Sequence, residues 1–483
     1  MSENKNFFAY FAVKKPENEP LPSFAFGKRD HVTSAIERWN ADADGSSRKT
    51  EQVPEEPEFT HQSALTEALK ASVDFGLAQY ELIEAAAIAP MIMRIAMMRG
   101  EIIGFIESEA QKIDDNKSHV MYGLNEKQFA TVIERYEKYA ISKKGLDRFP
   151  SAVLLSLVAT FDTLVLDILT KMLKLQSDWL ERSERSVPIS RIASADSLEE
   201  IIHEQILEEV YQFSRGSHSE QAGYIKRNFG IDIAKDWKRW ADYIEIFERR
   251  NLVAHGETKF NARYVRICQE AGHKGAESLL GVNVELRDQY LKQSLNILVE
   301  FAVLLSFSLF RKFVKDSEDQ AFTNLNEAIY KLIQKGHYTV SERLSDYALT
   351  LNKVNMKTET RLMIVVNRAS AIRHAGRFEE SNQALRSEDW SAVSDLFKVC
   401  IASILDDFDE FGRLLAKIKA SGDLSVQSIL TWPCFSFARN SKDGQKIIKD
   451  VFNIDLSDTK EGDDEMLEQV NSSSADGDKH VVH

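Results

Sequence analysis

The chain is 483 residues long and carries 61 Lys plus Arg against 75 Asp plus Glu, a formal net charge of −14. With 43% hydrophobic and 10% aromatic residues it has ample material for packed cores, which excludes global disorder. The acidic balance argues against a protein that coats nucleic acid or anionic membrane by bulk charge, and it leaves room for a local basic site.

From the N-terminus, MSENKNFFAYFAVKKPENEP lacks the basic start and apolar run of a signal peptide. Period-2 alternation is confined to short pieces such as FFAYFAV. Six of the nine prolines fall in the first ninety residues, and none lies between Pro188 and Pro433. A proline costs a helix interior about 3 kcal/mol, so that gap suits a helical array. Residues 40–60 are polar and proline-bearing and read as a linker. Within them Asn40, Asp42, Asp44, Gly45 and Glu51 copy the spacing of an EF-hand calcium loop. Asn at the first position, Ser47 at the eighth, and Pro54 and Pro57 in the exiting segment weigh against calcium.

Met91, Met93, Met97 and Met98 form a soft patch that reads as a helix-packing face. Asn125 is placed to cap a helix through Tyr139, with Gly145 ending the segment. Pro150 suits the first turn of a further helix over 150–180, along which Val153, Leu157, Phe161, Leu164, Ile168, Met172 and Leu175 follow one stripe. Ser197 and Glu200 form a candidate capping box before IIHEQILEEVYQF. Residues 234–255 read as an amphipathic helix and 286–314 as a long, more apolar one. Its run FAVLLSFSLF is about half the ~18 apolar residues that span a bilayer. No membrane role and a reducing, cytoplasmic compartment are therefore expected. Cys268, Cys400 and Cys434 are too few for a disulfide framework or a thiolate zinc cluster.

Farther on, Gly336-His337-Tyr338 and Gly376-Arg377-Phe378 are Gly-x-aromatic turns between helical stretches. NRASAIRHAGRFEESNQAL resembles one tetratricopeptide-type hairpin, although the spacing of the two turns is 40 residues rather than that family's 34. The region reads either as an irregular α-solenoid or as an ordinary helical bundle. The fold class is thus all-α. The expected division is an N-terminal segment and linker (1–60), a helical region (61–145), a central helical domain (146–316), a solenoid-like region (317–454) and an acidic tail (455–483).

The stretch that carries chemistry is DWKRWADYIEIFERRNLVAHGE, residues 236–257. As a helix it buries Trp240, Ile244 and Phe247, and it ends in Arg250-Asn251-x3-His255. Asn251 and His255 are i,i+4 and share a face. A guanidinium can fork onto non-bridging phosphate oxygens, and an imidazole can exchange a proton with a ribose hydroxyl near neutral pH. Neither a P-loop, nor a G-x-S-x-G elbow, nor any His/Cys metal spacing is present, so no metal or other cofactor is expected.

Arg250-Asn251-x3-His255 resembles the Arg-x4–6-His signature of the HEPN superfamily, whose preferred form places a polar residue after the Arg. The order of helices over 146–316 is similar to that family's up-and-down bundle, with 259–286 a longer insert than a minimal version needs. The resemblance implies a metal-independent endoribonuclease acting as a homodimer, in which two motifs face one composite cleft. It implies that Arg250 contacts the scissile phosphate, His255 serves as acid or base, and Asn251 orients them. It also implies a toxin or phage-defence effector, with an antitoxin or regulatory protein as a partner. The other class of function it leaves open is a non-catalytic dimerisation scaffold with a helical-repeat surface for a protein partner.

Local charge supports an RNA substrate. Residues 226–274 hold eleven basic residues against seven acids. Lys238, Arg239, Arg249, Lys259 and Arg263 are the expected RNA contacts, with Trp237, Trp240, Tyr243 and Tyr264 interleaved. The tail from Asp455 holds nine acids and two lysines, and 40–60 holds six acids and two basic residues, so most of the net negative charge lies outside the helical body.

Overall fold

In the computed structural model, the described residues are 10–13, 24–27, 60–84, 88–115, 120–176, 178–181, 186–315, 317–351, 354–454 and 456. The calcium-like loop, the linker up to residue 59 and the tail apart from Asp455's neighbour Leu456 lie outside them. The chain divides into units 1–59 and 60–483. In the first, Tyr10–Val13 (β1) pairs antiparallel with Phe24–Gly27 (β2), Tyr10 opposite Gly27, so the expected alternating piece contributes its second half to a hairpin.

The second unit is almost wholly α-helical. Its first helix, His61–Glu84 (α1), is followed by Ile88–Glu109 (α2), then a ribbon of Gln111–Asp115 (β3) and Val120–Gly123 (β4), then Glu126–Leu175 (α3). Asn125 caps α3 as expected, in a capping box with Gln128. The helix does not stop at Gly145 or restart at Pro150, but runs through both for 50 residues. A proline there forfeits a hydrogen bond and crowds the preceding turn. That local cost is outweighed because α2 packs along the first half of α3, while Val153 to Leu173 bury ten side chains in the core. The expected boundary at 145/146 therefore falls inside one helix. α1, assigned by sequence to the preceding region, likewise belongs to the central core: it packs on Asp288–Phe313 (named α8 below), with Gly76 so close to Val299 that an added Cβ would lie 2.8 Å from it.

Leu198–Arg215 (α4) starts at Ser197, whose hydroxyl accepts from the Glu200 N–H. The Glu200 carboxylate instead accepts from the Asp196 N–H and from Arg191, so the box is half formed. His218–Phe229 (α5), Trp240–Ala254 (α6), Ala262–Glu270 (α7) and Asp288–Phe313 (α8) complete the central bundle. One core joins α1, α3, α5, α6 and α8 around Phe161, Tyr243, Phe247 and Phe301. Among the described residues, two helices, α3 and α8, are long and apolar enough to cross a membrane, but half and 83% of their most apolar stretches are buried inside the protein.

The same core continues into Glu318–Gln334 (α9), Tyr338–Thr350 (α10) and Thr358–His374 (α11). Phe378–Arg386 (α12), Asp395–Ile404 (α13), Phe408–Ser421 (α14) and Lys442–Phe452 (α15) gather about a second core containing Phe411 and Phe435. α9/α10, α11/α12 and α13/α14 are successive helical hairpins, two of them turning at Gly336 and Gly376 with φ of +82° and +80°. That left-handed geometry is why glycine stands at these turns.

Candidate functional site

α6 positions the motif. Its buried face, Tyr243, Ile244, Ile246 and Phe247, is fixed in the bundle core, which sets the rotation of the helix. Arg249 and Arg250 are consecutive and so point about 100° apart. Arg249 turns inward: its Nε donates to Glu245 at 2.6 Å and its Nη1 to the Glu285 carbonyl at 3.0 Å. Its guanidinium lies 3.9 Å from the Tyr290 ring centroid and 5.0 Å from that of Phe260. Glu245, buried, also accepts from the Tyr264 hydroxyl at 2.6 Å and the Tyr290 hydroxyl at 3.0 Å. This network bolts α6 to α7 and α8. Burial and the Glu245 charge push both phenols well above their ordinary range.

Arg250 turns the other way, into a cleft of about 580 Å³. The cleft is walled by Asp162 of α3, the Arg215–Ser219 turn between α4 and α5, Glu248, Arg250 and Asn251 of α6, and Arg263, Arg266 and Glu270 of α7. Four arginines thus face three carboxylates. The 259–286 insert folds on its own small core of Leu252, Phe260, Tyr264, Val265, Cys268 and Ala276, and supplies one wall. Arg250 Nη2 lies 3.5 Å from Asp162, while its Nε is buried with no hydrogen-bond partner among the described residues. Asn251 donates to Glu248 at 3.3 Å. His255 caps the C-terminal end of α6: its backbone N–H donates to the Asn251 carbonyl and the Gly256 N–H to the Val253 carbonyl, while the His255 side chain is exposed and is not part of the cleft wall.

No family model, no curated protein and no solved structure matches this chain.

Among the cleft residues not singled out from the sequence, Asp162 and His218 stand beside Arg250. Asp162 bridges Arg250 and His218, whose Nε2 lies 3.2 Å from its Oδ1. The His218 ring stacks on Phe247 with centroids 3.3 Å apart. Burial, opposed by the Asp162 carboxylate and reinforced by Arg250, lowers its pKa, so the neutral imidazole is favoured. Asp162 did leave a sign in the sequence: it is the sole charged side chain between Arg148 and Asp167, in the middle of an apolar stripe. His218 left none beyond its place after the Ser217 cap.

Of the residues expected to touch RNA, Arg263 lines the cleft and is exposed. Lys259 is exposed in a β-bridge to Asn283, outside the cleft wall. Lys238 and Arg239 precede α6, roughly 16 Å of helix rise from Arg250, and Arg239 pairs with Asp242. Arg249 is a core cation. The interleaved aromatics are core as well: Trp237 and Tyr243 are buried in the bundle core with Trp240 packed against it, and Tyr264 is buried in the insert's own small core.

Proposed function

We propose that the chain is a metal-independent endoribonuclease of the HEPN type, working in a cytoplasm as a homodimeric toxin or phage-defence effector. The observation that carries the reading is Arg250: a guanidinium in the wall of an arginine-rich cleft, loosely paired with one carboxylate and keeping a buried Nε–H unused. Such a cation suits a phosphate, whose oxygens can fork onto a guanidinium held by no more than one long ion pair. In this reading Arg250 leaves Asp162 for the scissile phosphate, and Arg263 and Arg266 hold the flanking backbone. Asn251, in the cleft wall, presents an amide to the reacting ribose, and His255, exposed one turn on at the C-cap of α6, supplies the imidazole. Proton removal from the 2′-hydroxyl lets its oxygen attack phosphorus; the 5′-oxygen departs with a proton, leaving a 2′,3′-cyclic phosphate. Asp162 and neutral His218 keep the empty guanidinium in place between turnovers.

The test is RNA cleavage by the purified chain in EDTA. Arg250→Ala and His255→Ala should each abolish cutting while leaving the unfolding midpoint unchanged, and growth arrest on expression should disappear with His255→Ala. Undiminished cleavage by His255→Ala sinks the reading. Intact RNA under every condition, together with no growth arrest on expression, favours the non-catalytic scaffold.

A further inference from the structure

Between Ile83 and Val153 no described side chain is buried, although α2, β3, β4 and the first half of α3 all lie in that stretch. These elements form an antiparallel arm. Gln128 donates to the Glu109 carbonyl and Arg135 to the Glu101 carbonyl, and the Arg135 guanidinium sits 4.6 Å from the Phe105 ring centroid. A two-helix hairpin has only one inner seam, so apolar residues beyond it stay wet. Met93 and Met97 are 65% and 62% exposed on α2. Phe129, Tyr136 and Ile141 are 56%, 55% and 72% exposed on α3, with Ile133 on the same stripe as Phe129 and Tyr136. Stripes at three- and four-residue steps on both helices describe half of a four-helix seam.

Charge identifies the other half. The root of the arm, residues 88–99 and 138–149, holds six basic residues against one acid. Its tip, residues 100–115 and 120–137, holds eight acids against three basic residues. Two such arms repel if laid parallel and attract if laid antiparallel, tip on root, the arrangement generated by a two-fold axis perpendicular to the arm. The arm is self-complementary. An acidic tip also disfavours RNA or an anionic bilayer along its full length. Size is adequate: a 22-residue helix is about 33 Å long, and two helices side by side are about 20 Å wide, giving roughly 660 Å² in projection against the ~800 Å² per partner of a standard interface.

We propose that the arm formed by α2 and the first half of α3 is a self-association surface, on which a second copy of this chain docks its own arm antiparallel to form a four-helix bundle. The inference does not rest on ribonuclease activity, because its test reads mass.

Charge exchange on the full chain provides that test. Light scattering after gel filtration should give a dimer for wild type. Lys143→Glu with Lys144→Glu, and separately Glu107→Lys with Glu109→Lys, all exposed positions, should each weaken association by at least about tenfold. An equimolar mixture of the two double variants, or the quadruple variant alone, should restore the dimer. Far-UV circular dichroism should stay at the wild-type value throughout, which shows that each variant remains folded. A wild type that is monomeric at every concentration overturns the proposal, including one that binds anionic vesicles as a monomer. So does a dimer that neither double variant weakens, or a quadruple variant that stays dissociated.

Discussion

Replacing Glu245 with Leu tests whether the motif helix is held by the buried network rather than by its local sequence. Glu245 and Arg249 side chains are 6% and 15% exposed, so the substitution strands a cation that solvent cannot rescue. Breaking a buried pair from one side costs about 3–5 kcal/mol. The Tyr264 and Tyr290 hydroxyls lose their acceptor at the same time, and because they share it their losses overlap rather than add. A total near 4 kcal/mol is expected. Arg249→Leu should cost a similar amount from the other side. The double variant Glu245→Leu/Arg249→Leu removes both charges, and should fall short of the summed single losses by about 1–3 kcal/mol. Urea unfolding followed by far-UV circular dichroism measures each value. The reasoning fails if Glu245→Leu stays within about 0.5 kcal/mol of wild type, the range of an ordinary surface change.

Other outcomes follow from the same geometry. Arg263→Ala should weaken binding of single-stranded RNA and lower its logarithmic salt slope by about 0.7, whereas Lys238→Ala, at the far end of α6, should leave both unchanged in a fluorescence-polarisation titration. His337 is buried beside Tyr80, and burial lowers its pKa to about 4. The folded state therefore favours neutral imidazole, so stability is full above about pH 6.5 and is lost as pH falls through about 4. The loss is about 3 kcal/mol, and His337→Gln should flatten that part of the stability–pH curve. Cys268 is buried and its thiol is pushed up to about 12, mainly by burial, so iodoacetamide at pH 8 should label it in urea but not in the native chain.

Features set by neighbouring residues were readable from the sequence. The Asn125 and Ser197 caps and the Gly336 and Gly376 turns each depend on three or four residues and a single backbone angle, and all appear where expected. Pro150 misled for the same reason: the local rule starts a helix there, whereas packing of α2 on one side and the bundle core on the other carries the helix through. The motif lay where the periodicity put it, late in a helix of the central bundle. Its surroundings were hidden. Asp162 and His218 are 56 residues apart and meet only because α3 and α5 pack side by side on α6. Arg249 and Arg250 are indistinguishable as letters, yet one turn angle sends the first into the core and the second into the cleft. Counting basic residues in a window therefore overstated the number of free cations, since it cannot tell a guanidinium committed to Glu245 from one that lines the cleft.

The central claim is tested most directly by incubating the purified chain with RNA in EDTA and reading the ends of any fragments. Mass spectrometry should find 2′,3′-cyclic phosphate on one fragment and a 5′-hydroxyl on the other, with both absent for Arg250→Ala. Fragments bearing 3′-hydroxyl and 5′-phosphate ends, or cyclic phosphates that persist with Arg250→Ala, would contradict it.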